Sequence, residues 1–576
     1  IVAAAFAAFV VEPVMCGVGG HGRLSVHVAA TGETWGVDHF LVAPAAATPT
    51  AFARALAAGA DAERGPLSVG VPGAIAGLCE AARRFASREL PRLMAPAIAP
   101  AEAGIPVDAR TAALATTHAR TIARFPVLAR WLAGGDRLDG RDLARTLAAI
   151  AEGGAAAVHT GGIAEAIARA IAGGFLAADD LAGYAPRVGR QTLARFRDLR
   201  YATCGDLIAV ETLNILEQLA PTAPPDDRTA WHLLAEAMAQ AFVDSAVYGG
   251  DEANSDLPLA GLASREYAKA IAATIRPDRA RHRIEPGEPW RFGPTAGTAR
   301  AFRGTTQICT ADRDGNIASL ITSIDGAFGS MILVPGTGIL LGNGLQLFAL
   351  FEGGLNPIAP GRMPLYGAPA MVVLDESGGR GAFAGAGGYR IASGVLATLV
   401  NIVDRGMALE DAIEHPRLHS DRDGIEVDPA MPAGVREGLA SLGHRLAVAE
   451  TGPFSWPFGR TSAHWRHRDG LGAAASGPRC GAAAALAQTD TAAVRQSSRM
   501  NVISMVTRYS AMAPFATLAF ISITCRPVMP RIVLLARFRP DLTASSKLLG
   551  EDAVILVTLA TAMTPLLDSR ISRPPC

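Results

Sequence analysis

TTQICTADRDGNIASLITSID, residues 305–325, is the stretch on which the fold turns. Asp314-Gly315 is a strong turn signal between two runs of alternating polarity, so the stretch predicts an antiparallel β-hairpin. A three-residue loop at 313–315 sets Thr305 opposite Ser323; a two-residue Asp-Gly loop sets Thr306 there instead. In either register hydroxyls meet across the hairpin, with Cβ atoms within about 5 Å. A structural Thr–Ser hydrogen bond would explain one such pair, yet a hairpin needs neither of two consecutive threonines. Thr305 has a further chemical option. If the Gly304–Thr305 peptide is cut, Thr305 carries an α-amine of pKa near 8 beside its own hydroxyl, and that amine can serve as the hydroxyl's general base. Gly304 suits the cut, because attack of the Thr305 hydroxyl on the preceding carbonyl needs an uncrowded backbone. Ser323 would orient the nucleophile or hold its amine.

Outward from the hairpin, residues 1–300 alternate helical segments with short strands. RDLARTLAAIAEGGAAAVHTGGIAEAIARAIAGG (141–174) and TAWHLLAEAMAQAFVDSAVYG (229–249) place apolar residues at helical spacing. Glycine pairs close the helices of the first stretch. From 305 the period becomes two: GRMPLYGAPAMVVLD (361–375) and GGRGAFAGAGG (378–388) read as strands, and GVLATLVNIVDRGMALEDAIEH (394–415) returns to helix. Strands with helices on both sides give an α/β layered class. The opening run IVAAAFAAFVVEP is too short to span a membrane and lacks a basic leader, so it reads as a core helix.

Composition narrows the function. The chain has 576 residues, half of them hydrophobic, and a formal net charge of zero, which argues against a nucleic-acid partner or a basic membrane surface. Arg supplies nearly all the cations; Lys occurs at 269 and 547 alone. The seven cysteines form no CxxC pair, so neither a zinc site of that kind nor a disulfide framework is indicated. Beyond Ala485 no periodicity is legible, and two apolar stretches there (511–525 and 553–567) fall short of membrane-spanning length.

Three motifs have bland readings. GVGGHG (17–22) fits the dinucleotide-binding expression, but a helix precedes it and a strand follows, the reverse of the required order. It reads as a glycine turn for close backbone approach. The pairs His415/His419 and His464/His467 have ligand-like spacing, but Pro416 interrupts the first and the second lies in a strand, where i and i+3 face opposite ways.

A nucleophile at Thr305 needs an oxyanion hole, and Gly387-Gly388 stands between a strand and a helix start. Consecutive backbone N–H groups there can converge on one oxygen, with the helix dipole assisting.

With that constellation assembled, the chain resembles the γ-glutamyltranspeptidase family of N-terminal nucleophile hydrolases. The matching stretches are VVEPVMCGVGGHG (10–22), LSVGVPGAIAGL (67–78), the run from Thr305 through FGSMILVPGTGILLGN (328–343), GAGGYRIASG (385–394) and FGRTSAHWRHRDGLGAAASGPR (458–479). The resemblance covers about residues 1–485. It implies an αββα four-layer sandwich that cuts itself before Thr305. The parts would be a heavy-chain region (1–304, beginning later than the family does), a light-chain region (305–485) and a tail of unknown origin (486–576). It implies Thr305 as nucleophile and base, Ser323 where the family has a supporting Thr, and Gly387 and Gly388 as the oxyanion pair. No metal or organic cofactor is required.

The substrate pocket departs from the family. Where the family grips the glutamyl α-carboxylate with an Arg, VDHFLVAP (37–44) places Phe40. Where it has a Ser-Ser pair, RMPLYGAP (362–369) places Leu365 and Tyr366. Leu347 replaces the Asp that holds the α-amine, and Asp325 replaces a supporting Asn. Loss of charge-assisted contacts worth a few kcal/mol points to a changed substrate. The resemblance therefore implies an amidohydrolase acting on a small amide, similar to the oxamate amidohydrolase-like or cephalosporin acylase-like branches and somewhat closer to the first. The alternatives are a γ-glutamyl hydrolase or transferase anchored by Arg23, Arg362 or Arg390, and an uncut relative that keeps the fold without its chemistry.

Overall fold

The computed structural model describes residues 1–219, 226–251, 257–292, 305–348, 356–364, 367–421, 424–450 and 458–466, together with strand backbones at 472–476, 483–485, 504–505, 519–522, 533–536 and 553–557. The hairpin predicted from Asp314-Gly315 is its centre. Strands Thr306–Asp312 and Ile317–Ser323 pair antiparallel, with Thr306 opposite Thr322 and Ala311 opposite Ile317. The three-residue loop is the one formed: the Asp312 amide donates to the Asn316 carbonyl at 3.0 Å, and Gly315 takes φ +90°. Asp312 Oδ1 accepts from the amides of Asp314 and Asn316, so the aspartate before the turn fixes it. This register continues to Thr305 opposite Ser323.

Two sheets stack on this hairpin. In the first, Ile317–Ser323 also pairs with His21–Val28, which continues to Glu33–His39 and Arg187–Arg190; on the other side Thr306–Asp312 pairs with the tail strand Ala553–Val557. The second runs Gly472–Ser476, Arg460–Arg466, Gly378–Ala386, Met371–Asp375, Leu199–Thr203, Ala194–Phe196. The sheets face each other and exchange polar ties: Ser319 Oγ donates to the Phe383 carbonyl at 2.6 Å, and Ser25 Oγ to that of Ala370 at 2.7 Å.

Helices cover both outer faces, which completes four layers. Helix Val2–Val11, read from its apolar run, packs with Ala74–Phe85, Leu90–Glu102 and Arg141–Gly153 behind the first sheet. Leu207–Gln218, Asp227–Tyr248 and Arg390–Val403 pack behind the second. The alternation in the hairpin sorts its residues between these cores. Ile308 and Leu320 enter the helix-side core, while Cys309 and Ile321 enter the core shared with the second sheet. Every residue of Ile317–Ser323 is therefore buried.

Two expectations need adjusting. Among the described residues of GRMPLYGAPAMVVLD, strand runs from Met371 to Asp375; the part before it carries prolines that cannot donate to a ladder. The 486–576 tail, read as aperiodic, contributes Ala553–Val557 to the first sheet. No described helix is long and apolar enough to cross a membrane.

Candidate active site

The alternation also separates the two threonines. Thr306, on the helix-facing side, donates its hydroxyl to Glu12 Oε2 at 2.6 Å. Glu12 caps the end of helix Val2–Val11 and is 4% exposed; its other oxygen accepts from Arg110 at 3.3 Å. A charge-assisted bond of this length is among the stronger hydrogen bonds a protein makes. Thr305, fully buried, lies one residue earlier and so on the side of the second sheet. Its carbonyl accepts from the Arg460 guanidinium at 3.0 Å, and Arg460 is itself 1% exposed. The residue is thus held from both layers.

Arg460 links Thr305 to the glycine pair. It pairs in register with Ala386, the last residue of strand Gly378–Ala386. Gly387 and Gly388 follow at φ +132° and +67°, directly before helix Arg390–Val403. A Cβ on Gly387 would sit 2.8 Å from the Gly459 Cα, so conformation and space both require glycine there.

Ser323 is buried opposite His21 in the sheet, and its Oγ accepts from the Asp325 amide at 2.7 Å. Asp325 adopts φ +69° and sets its carboxylate 2.9 Å from His21 Nε2. His21 stands edge-on to Phe40 at a centroid distance of 4.0 Å, and the Arg23 guanidinium lies 4.7 Å over the Phe40 ring. Between them is a cavity with room for about one water molecule, lined by His21, Arg23, Phe40, Ile321, Ser323 and Ala368. Arg23 is tied to Asp38 at 3.1 Å and to the Gly205 carbonyl at 3.0 Å. Nearby, burial raises the Asp206 carboxyl to about 6, with the amide of Ala209 and the charge of Arg23 acting the other way.

The structure brings Thr305, Ser323, Asp325 and Phe40 to one end of the hairpin. Leu347 is fully buried, in the core cluster that also holds Phe40, and ends a 3₁₀ turn begun at Gly344 beside the Asp325 carboxylate. Gly304, Leu365 and Tyr366 lie outside the described residues. The glycine run at 17–22 is a close-approach turn: a Cβ on Gly20 would meet the Ser323 carbonyl oxygen at 2.2 Å. His415 bonds to Arg405 and stacks on Trp231, and His419 bonds to Ser393 and Asp421. His464 is buried in its strand; His467 lies outside the described residues.

Comparison with known proteins follows this geometry. The profile of the γ-glutamyltranspeptidase family matches residues 1–487. The chain belongs to the γ-glutamyltranspeptidase family. It is 29% identical over 477 residues to the glutathione hydrolase proenzyme of Bacillus subtilis (strain 168), covering 78% of this chain and 81% of that one. It is 32% identical over 471 residues to the acylase ACY 1 proenzyme of Pseudomonas sp. (strain SE83), covering 77% and 82%. Among solved structures, cephalosporin acylase from Bacillus halodurans superposes with a TM-score of 0.73 at 27% identity, over 83% of this chain and 89% of that one. The fold is the αββα sandwich of the N-terminal nucleophile hydrolases, and the protein is an enzyme of the family's hydrolase/transferase type; both relatives named above are proenzymes.

Against the family motifs, sequence reasoning missed Glu12, Arg110, His21 and Arg460 as members of the site. Glu12, His21 and Arg460 lay within quoted stretches, and His21 interrupts an otherwise glycine-rich run, which was a usable signal.

Proposed function

We propose that the protein is a self-processing amidohydrolase in which Thr305 is both the nucleophile and, through its freed α-amine, the base. The observation carrying this reading is the double anchoring of the Thr305-Thr306 pair, from Glu12 on one side and Arg460 on the other. A structural hydroxyl pair needs no such restraint; a nucleophile held in a near-attack position does. In the precursor, the Thr305 hydroxyl attacks the carbonyl of Gly304. The peptide shifts to an ester, and water releases the heavy-chain region with a new carboxylate and leaves the Thr305 amine. In turnover the amine takes the hydroxyl proton as the oxygen attacks an amide carbonyl. The oxyanion is received by the Gly387 and Gly388 N–H groups, the amine leaves with the proton, and water hydrolyses the acyl-enzyme.

The substrate is a small amide whose acyl group lacks the α-amino acid end of a γ-glutamyl group. Phe40 puts an apolar ring in the cavity wall and Leu347 is packed in the core behind it, where the family's charged anchors stand, and the polar residues in the wall are His21, Arg23 and Ser323. His21 Nδ1 is buried without a protein partner among the described residues, so it is available to an acyl oxygen. The rival γ-glutamyl reading would use Arg23, but its Nε and one terminal nitrogen are already given to Asp38 and Gly205. Arg390 is paired with Glu426, and Arg362 donates to the Pro357 carbonyl.

Three anilides test the reading: γ-glutamyl, glutaryl (the same chain without the α-amine) and butyryl. The proposal expects glutaryl or butyryl anilide to be hydrolysed with kcat/KM at least tenfold above the γ-glutamyl compound, and all turnover to vanish in Thr305→Ala. Preference for the γ-glutamyl anilide would reverse the assignment.

A further inference from the structure

We propose that His232, Glu236 and His444 form a binding site for a divalent transition metal ion, zinc by preference, in the helix layer outside the second sheet. His232 and Glu236 are four residues apart on helix Asp227–Tyr248 and so share one face. His444 arrives from the link between helix Ala433–Ser441 and strand Leu446–Val448. One donor atom from each residue lies within 4.8 Å of the others.

The nitrogens are aimed at each other. His232 Nδ1 and His444 Nε2 are 2.7 Å apart. His232 Nε2 lies 2.7 Å from the Arg276 carbonyl, which only a protonated nitrogen can donate to. That assigns the hydrogen to Nε2 and turns the Nδ1 lone pair toward His444. A histidine whose far nitrogen donates to a backbone carbonyl is the usual outer arrangement of a metal ligand. Glu236 is oriented in the same manner, accepting from Arg281 Nε at 2.6 Å and from the Arg281 amide at 3.2 Å. Without metal, one proton on His444 Nε2 bridges to His232; the ion takes that proton's place, and His444 stays a neutral imidazole with its hydrogen on Nδ1, exchanged through solvent with no net proton released.

Two imidazoles and a carboxylate select zinc, copper or nickel over calcium or magnesium, and leave a fourth position for water. Nitrogens bound at about 2.0–2.1 Å to one tetrahedral ion stand roughly 3.3 Å apart, so the pair must open by about half an ångström. His232 and Glu236 are buried and fixed, while His444 is only partly buried and can swing. Arg281 offsets the Glu236 charge, which places the weight of binding on the nitrogens. The position has a consequence that rests on the proposed cut, although binding itself does not: His232 and Glu236 precede Thr305 and His444 follows it, so the ion would clamp the two chains together.

The test uses tag-free, chelator-treated full-length protein equilibrated with zinc chloride, with bound zinc measured by mass spectrometry of the metal and cobalt(II) as an absorption probe. The expected result is about one zinc per chain. Cobalt should show the strong visible bands of a four-coordinate site, and affinity should fall at least tenfold in both His444→Ala and Glu236→Gln. Retention of no zinc by the wild type, equal binding by both variants, or a weak six-coordinate cobalt spectrum would each overturn the proposal. The cobalt spectrum is read on wild type, so it decides even if a variant misfolds.

Discussion

Replacing Thr306 by Val separates the positioning of the nucleophile from its chemistry. Valine keeps the β-branched shape and fits the same strand position, but it removes the donor to Glu12 Oε2, now 2.6 Å away. A hydrogen bond to a charged group contributes about 1.5–3 kcal/mol. Arg110 still faces the other Glu12 oxygen, so the carboxylate stays compensated and the lower part of that range applies, about 2 kcal/mol. Spread over the whole fold this is roughly a 30-fold change in the folded-to-unfolded ratio, which a domain of this size survives. If the bond aligns Thr305 for attack, the same loss slows processing by up to about 30-fold. The assay is the half-time of conversion from one chain to two, followed by gel and intact mass after purification of precursor, beside thermal melts. Thr306→Ser, which keeps the donor, should process within a few-fold of wild type. A Thr306→Val precursor that matures at the wild-type rate would refute the reasoning, because Glu12 would then be holding only the fold.

Other substitutions probe separate parts of the site. Arg460→Lys keeps a charge but loses the planar fork that reaches the Thr305 carbonyl, so processing should slow at least tenfold; unchanged maturation would remove Arg460 from the account. Gly387→Ala forces a Cβ within 2.8 Å of the Gly459 Cα at φ +132°, and should cost about 1–3 kcal/mol of stability together with nearly all turnover, read by melting and by anilide hydrolysis. Asp206 gives a pH test. Burial, acting against the Ala209 amide and the Arg23 charge, raises its folded-state value to about 6, above the ordinary aspartate value of about 3.9. The protonated form therefore favours the fold: this contribution is present at low pH and is lost as pH rises from about 4 to 6, by about 3 kcal/mol in all. Asp206→Asn keeps an oxygen to cap Ala209 and removes the titration, so wild-type and variant melting temperatures should diverge over that window. Parallel curves would contradict the assignment.

The parts of this structure that were legible in the sequence are those set by local rules. Asp314-Gly315 announced the hairpin, and glycine at φ +90° selected the three-residue loop that brings Thr305 opposite Ser323. The apolar start of the chain became a buried helix, and Gly387-Gly388 fell between strand and helix as read. What was not legible depends on contacts between distant segments. Glu12 meets Thr306 across 294 positions and Arg460 meets Thr305 across 155, and no spacing rule encodes either. His232 and His444 are 212 apart, so their meeting is likewise beyond any spacing rule. GRMPLYGAPAMVVLD reads as a strand from the sequence; in the fold the ladder begins at Met371, after its two prolines.

The claim that Thr305 is a self-generated N-terminal nucleophile is tested most directly by intact-mass measurement and N-terminal sequencing of purified wild type and Thr305→Ala. The account predicts two chains from wild type, one beginning Thr305-Thr306-Gln307, and a single uncut chain from Thr305→Ala. A wild-type chain that stays whole, or a cut at another residue, would contradict it.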